Sequence, residues 1–149
     1  YAEGFVADMD NRMVEYPSLE LTQEDVRDFQ FENASLVTSL FTLQFMPRKD
    51  RQEVINRIYK GLNPGGAFIF GEKTYSCSSK VQDMLTFMHY DFKRESFSPE
   101  EIMDKEQTLR NMLRPNTWTE LSDMLKNAGF ESVQTFWQNH LFVGAIAVK

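Results

Sequence analysis

At 149 residues the chain has room for one domain with a sizeable core but not for two of ordinary size, and it contains no run of about 18 apolar residues that could cross a bilayer. Sixteen basic against 22 acidic residues leave a net charge of −6, which offers a phosphate backbone no global attraction and argues against direct nucleic-acid binding. A single cysteine, Cys77, excludes an internal disulfide and a Cys-rich zinc site and suits a reducing compartment, the cytoplasm by default.

The sequence opens at Tyr1, with no initiator Met and no basic-then-apolar leader, which predicts an internal start. Gly4-Phe5-Val6-Ala7 is a short apolar run ending at Asp8, read as a buried strand with a carboxylate at its carboxyl end. A second short strand is predicted over residues 19–24, where Leu19 and Leu21 alternate with polar neighbours and Asp25 closes the run. Residues 35–42 are nearly continuous in β-branched or apolar side chains and predict a third strand.

After Pro47 the period changes to 3.6: Val54, Ile55, Ile58, Tyr59 and Leu62 share one face, with Arg51, Glu53, Arg57 and Lys60 pointing away. The breaker cluster Gly61-Leu62-Asn63-Pro64-Gly65-Gly66 ends this helix, and Ala67-Phe68-Ile69-Phe70 enters as a buried strand, giving a β–α–β unit with parallel strands. Val81, Met84, Leu85 and Met88 mark a helix, and Ser98-Pro99-Glu100-Glu101 starts another with a capping box. Thr117-Trp118-Thr119-Glu120 repeats the box, Leu121 and Leu125 supply a buried stripe, and Gly129 stands where a left-handed terminating residue belongs. Residues 132–138 and 141–148, separated by Asn139-His140, predict an antiparallel hairpin.

Glycines at 4, 61, 65, 66, 71, 129 and 144 include no G-x-G spacing, so no dinucleotide fingerprint or Walker loop is present. No G-x-S-x-G elbow exposes a serine nucleophile, and His89 and His140 are read as structural. What remains is carboxylates at strand ends, where open α/β sheets bind ligands. Asp8 is placed to accept both hydroxyls of a ribose and Asp25 to accept the exocyclic amine of an adenine; the alternative for each is a turn or N-cap aspartate. Phe41, Leu43 and Phe45 are read as core. Lys93-Arg94 is either a contact for an anionic substrate or a solvated helix end, and Tyr75 and Tyr90 are candidates to line an acceptor pocket.

Several segments together carry a family resemblance: Asp25-Val26-Arg27-Asp28, Glu32-Asn33-Ala34-Ser35-Leu36-Val37, Phe41-Thr42-Leu43-Gln44-Phe45, Leu62-Asn63-Pro64-Gly65-Gly66, Glu72-Lys73 and Met88-His89-Tyr90-Asp91-Phe92-Lys93-Arg94. The sequence resembles the carboxy-S-adenosylmethionine synthases, enzymes of the class I methyltransferase fold that serve wobble-uridine modification in tRNA. The resemblance implies S-adenosylmethionine or a derivative as cofactor, with Asp8 on its ribose and Asp25 and Val26 flanking its adenine. The family's next polar contact, an asparagine, falls on Leu40. Its opening strand and glycine-rich loop have no counterpart, and between Glu15 and Asp25 the chain is about ten residues shorter than the pattern, enough to remove most of a helix. The arginine that holds the transferred carboxylate in the family aligns at or beside Glu106; a Glu there repels that group, and Arg110, one helical turn on, is the replacement within reach.

The expected architecture is therefore α/β: a Rossmann-like class I methyltransferase fold incomplete at its N-terminus, forming a single partial domain with a mostly parallel sheet and a C-terminal antiparallel hairpin. Arg110, Tyr90 and Arg94 are the candidate substrate contacts, and no metal is expected. Transfer from a sulfonium needs in-line positioning and exclusion of water more than an acid or base, so the sequence singles out no catalytic residue. Two readings follow. One is a transferase acting on a small molecule; the other is a non-catalytic remnant serving as a binding module or as a homodimer through an exposed sheet edge.

Overall fold

The computed structural model describes residues 6–149. Two compact units divide between Gln30 and Phe31. In the first, α1 (Val6–Glu15) is followed by turns and irregular chain. This corrects two expectations. Val6 and Ala7 begin a helix instead of ending a strand, while Gly4 and Phe5 lie outside the described residues; residues 19–24 form no strand. Asp8 therefore stands in the first turn of a helix, where a carboxylate meets the positive end of the helix dipole.

The second unit is a sheet with helices. β1 (Ala34–Leu40) leads through a single 3₁₀ turn (Leu43–Phe45) to α2 (Arg48–Gly61), and β2 (Leu62–Tyr75) returns parallel to β1. Helices α3 (Ser79–Lys93) and α4 (Pro99–Arg110) follow, then the two-residue β3 (Asn116–Thr117), α5 (Trp118–Ala128) and the hairpin β4 (Ser132–Asn139) and β5 (Phe142–Val148). The strand order is β1-β2-β5-β4, with β3 pairing the end of β2 in parallel. β5 runs antiparallel to both β2 and β4, so the sheet is mixed; among the described residues neither 6–7 nor 19–24 adds a parallel strand to it.

Local chemistry accounts for most boundaries. Both capping boxes form: Ser98 with Glu101 at α4 and Thr117 with Glu120 at α5. Gly129 ends α5 at φ 113°, a conformation that an L side chain resists. The Gly61-to-Gly66 stretch behaves differently from a plain turn. α2 stops at Gly61, where a Cβ would collide with the Phe31 carbonyl, and β2 starts at once. The extra residues are absorbed as an irregularity opposite β1, since Ala34 pairs with Leu62 but Leu36 pairs with Ala67.

Side chains of β2 alternate across the sheet. Phe68, Phe70, Glu72 and Thr74 are buried on one face, the first two stacked at 5.1 Å beneath α2 and α5, with Val54, Ile55, Ile58, Leu121, Leu125 and Phe130 completing the core. Arg51 departs from the expected solvent-facing side of α2: it is only 1% exposed. Its guanidinium donates to the carbonyls of Met46 (2.7 Å) and Arg114 (2.6 Å) and to the Asn116 side chain, tying together two loops far apart in sequence. On the opposite face of β2, Lys73 and Tyr75 emerge toward α3 and α4. Nothing on α3 is buried, and on α4 only Ile102 is.

Candidate substrate and cofactor site

β1 and β2 deliver their carboxyl ends side by side, and the chain leaving β1 folds back over that edge. Two reciprocal bonds hold it there: Glu72 Oε1 accepts the Leu43 N–H at 3.0 Å, and Gln44 Oε1 accepts the Lys73 N–H at 2.7 Å. Leu43 is thereby buried, whereas Phe41 and Phe45 remain partly exposed, which corrects their reading as core. Phe45 is spent on a cavity wall instead.

That cavity encloses about 600 Å³ between the strand ends and the α3–α4 pair. The 3₁₀ turn contributes Gln44 and Phe45 and the sheet Lys73 and Phe142; the helices and the loops that follow them contribute His89, Lys93, Phe97, Ile102, Glu106, Leu109 and Leu113. Such a position, beyond the carboxyl ends of parallel strands, is where α/β folds bind ligands. A second cavity of about 250 Å³ shares Lys73, Glu106, Leu109 and Leu113 and adds Tyr75, Tyr90 and Arg110. Tyr90 and Arg110 are thus brought together, as is Tyr75. Arg94 is not: it is exposed, 4.0 Å from Asp91, and lines neither cavity.

The charges in this region can be followed one by one. Lys93 Nζ meets Glu106 at 2.8 Å, and this bond, with Lys73 and Lys93 nearby, draws the Glu106 carboxyl below its ordinary range despite burial. The negative charge expected to repel an anion is therefore already answered. Glu101, also on the wall, is engaged by the Ser98 backbone N–H at 2.8 Å. Burial, with Lys93, Lys73 and His140 adding to it, lowers His89 to about 4, so its imidazole is neutral at physiological pH. His89 and His140 face each other at 5.6 Å between ring centroids, within a cluster that includes Phe92 and Phe142.

Lys73 is different. Its Nζ lies 5.9 Å from the Phe142 ring centroid and makes no ion pair among the described residues, and burial depresses its pKa. It is a partly desolvated amine facing both cavities; the carboxylate that acts on it, Glu106, accepts its direct hydrogen bond from Lys93. Composition did not single it out. The signal that could have found it is the Glu72-Lys73 pair at a strand end.

In the first unit, Asp8 Oδ2 accepts from Arg12 Nε at 2.6 Å. Asp25 is bound to the backbone and guanidinium of Arg27, the shortest contact being 2.6 Å, and this interaction lowers its pKa to about 2. Val26 is half-buried in the same turn. The paired strand tips on which Asp8 and Asp25 were expected to stand are not formed.

A family model described as "Methyltransferase domain" matches residues 2–70, a span that includes both aspartates. The carboxy-S-adenosyl-L-methionine synthase of Staphylococcus epidermidis is 40% identical over 144 residues, covering 96% of this chain and 60% of that protein. The chain is similar to the carboxy-S-adenosyl-L-methionine synthases over nearly its whole length. The enzyme of that name from Shewanella oneidensis is 39% identical over 93% of this chain and 58% of its own length. The chain thus spans about 60% of the curated relatives it matches. Human N-acetylserotonin methyltransferase, solved in complex with SAM, superposes with a TM-score of 0.57 at 17% identity, covering 91% of this chain and 36% of that one. That likeness shows the fold, which is the α/β methyltransferase fold with antiparallel C-terminal strands.

Proposed function

We propose that the chain belongs to an S-adenosylmethionine-dependent transferase, related to the carboxy-S-adenosyl-L-methionine synthases and to wobble-uridine modification of tRNA in the cytoplasm, whose large cavity takes a small anionic acceptor with an apolar body. Kinship supports the cofactor and pathway: 40% identity over nearly the whole chain does not favour a remnant retained only for binding or dimerisation. The single Cys77 supports the compartment.

The observation that carries the acceptor reading is Lys73. An amine held in a partly dry wall, with Glu106 nearby but hydrogen-bonded to Lys93 instead, is a ready partner for a carboxylate. Phe45, Phe97 and Phe142 supply apolar surface that excludes water around it. Tyr90 and Arg110, across the shared wall, extend the polar side of the same site.

For the cofactor, the residue types suit a nucleoside, with each carboxylate engaged by a neighbouring arginine, Asp8 by Arg12 and Asp25 by Arg27. Asp8 and Asp25 are acceptor carboxylates with 53% and 40% of their side chains exposed, and Asp25 is ionised far below neutrality. Two such groups suit a nucleoside that offers ribose hydroxyls and an adenine amine, with Val26 against the base. When bound, the cofactor supplies an electrophilic carbon on sulfur. The residues of this chain position the acceptor and keep water out, so no side chain is assigned as acid or base.

Calorimetric titration of the full chain with S-adenosylmethionine tests the cofactor half. A saturable heat is expected, weakened roughly tenfold or more in Asp8→Ala and in Asp25→Ala, each of which removes an acceptor. Absence of heat at millimolar ligand would contradict it.

A further inference from the structure

The turn that closes the end of β1 rests on a buried carboxylate. Glu72 is 2% exposed, and its Oε1 accepts the Leu43 N–H at 3.0 Å. The backbone of Gln44 and of Thr42 also favours its ionised form, whereas burial opposes that form and lifts the pKa to about 7. Arg51, on α2, is the charged group that bears on it, yet the two make no ion pair among the described residues; the guanidinium is occupied with the carbonyls of Met46 and Arg114 and with Asn116. Lys73, the next residue on β2, points to the other face of the sheet.

An unpaired buried carboxylate is an expensive way to fill a core position that a neutral or apolar side chain would fill at lower cost. What it does at this position is specific. Its Oε1 holds the Leu43 N–H of the 42–44 turn, and that turn carries Phe45 on one side and, through Gln44 Oε1, clamps the Lys73 backbone on the other. Phe45 and Lys73 both line the 600 Å³ cavity.

We infer that Glu72 is a positioning residue for the substrate cavity: by accepting the Leu43 N–H, its ionised carboxylate holds the 42–44 turn and so fixes where Phe45 and Lys73 stand against a bound acceptor. This rests on the acceptor reading given above. A glutamine at this position keeps the shape and an amide oxygen for the Leu43 N–H but loses the charge that strengthens that bond, so its hold is weaker and does not vary with pH. Stability and positioning are thereby set against each other, since the form that orders the turn is the form that burial opposes.

The test uses the full chain and 3-phenylpropionate, a ring bearing one carboxylate, with calorimetry and amide hydrogen exchange followed from pH 5.5 to 8.5. In the wild-type chain, affinity and the protection of Leu43 and Gln44 are expected to rise together with a midpoint near pH 7. In Glu72→Gln both become flat across that midpoint, and affinity at pH 8 falls about tenfold while the chain stays folded. If the glutamine variant does not fold, the wild-type exchange profile decides: no change in protection around pH 7 overturns the proposal. Retained affinity and an unchanged pH profile in Glu72→Gln overturn the positioning role alone. Absence of 3-phenylpropionate binding by the wild-type chain overturns the acceptor reading, and with it the role assigned to Glu72.

Discussion

Gln44 and Lys73 stand 29 positions apart and are joined by a 2.7 Å hydrogen bond from the Lys73 backbone N–H to Gln44 Oε1. Gln44 is itself buried, so the bond is made out of water at the point where the two parallel strands end. Gln44→Ala leaves the Lys73 N–H without this partner and is expected to cost about 1–3 kcal/mol, the usual penalty for a buried donor left unmade. Urea unfolding of the two chains checks it; equal midpoints would mean that water replaces the side chain.

Arg51 is the second hub, and its loss acts through the carbonyls it serves. Arg51→Met keeps the volume but strips the Met46 and Arg114 carbonyls and Asn116 of their donor, with an expected destabilisation of about 3 kcal/mol. Arg51→Lys, with one ammonium in place of a planar fork, recovers only part of this. Thermal unfolding of both variants gives the ranking directly.

The Glu72 pKa makes stability depend on pH in a defined direction. Because the folded chain raises it from 4.5 to about 7, the folded state binds the proton more tightly than the unfolded chain does. Its contribution is fully present below pH 4.5, is lost as pH rises through about 7, and amounts to about 3 kcal/mol. Glu72→Gln is expected to abolish this part of the profile and to be at least as stable as wild type at pH 8. A wild-type midpoint that does not fall relative to the variant between pH 5 and 8 would contradict it.

Glu106 gives a charge test. Its carboxylate occupies Lys93, so Glu106→Gln frees a second amine and is expected to tighten 3-phenylpropionate binding several-fold at low salt, whereas Lys73→Met weakens it about tenfold or more. Calorimetry at two salt concentrations reads both. An unchanged affinity in Lys73→Met would locate the anion elsewhere.

What the sequence made legible was local. The β–α–β unit, both capping boxes, the Gly129 terminator and the C-terminal hairpin rest on residues within a few positions of one another and stand where the pattern placed them, except that β2 runs about five residues beyond the expected Ala67–Phe70 at each end. The failures have the same physical root. Gly4-Phe5-Val6-Ala7 is too short an apolar run to separate strand from helix by period, and residues 19–24 hold only two apolar side chains, too few to hold a strand on a sheet. Arg51 lies on the polar side of its helical wheel, and only the return of carbonyls from residues 46 and 114 makes its burial tolerable. Arg110 was reached through family likeness and Tyr90 as a candidate pocket aromatic; Glu72-Lys73 stood out only as a family-like pair, and the separate roles of the two residues became visible once β1 and β2 ended side by side.

Chemical-shift mapping of 3-phenylpropionate on the isotopically labelled full chain tests the central claim most directly. The account predicts that shifts concentrate on Gln44, Phe45, Lys73, His89 and Phe142 and saturate with added ligand. Shifts confined to other residues, or none at millimolar ligand, would contradict it.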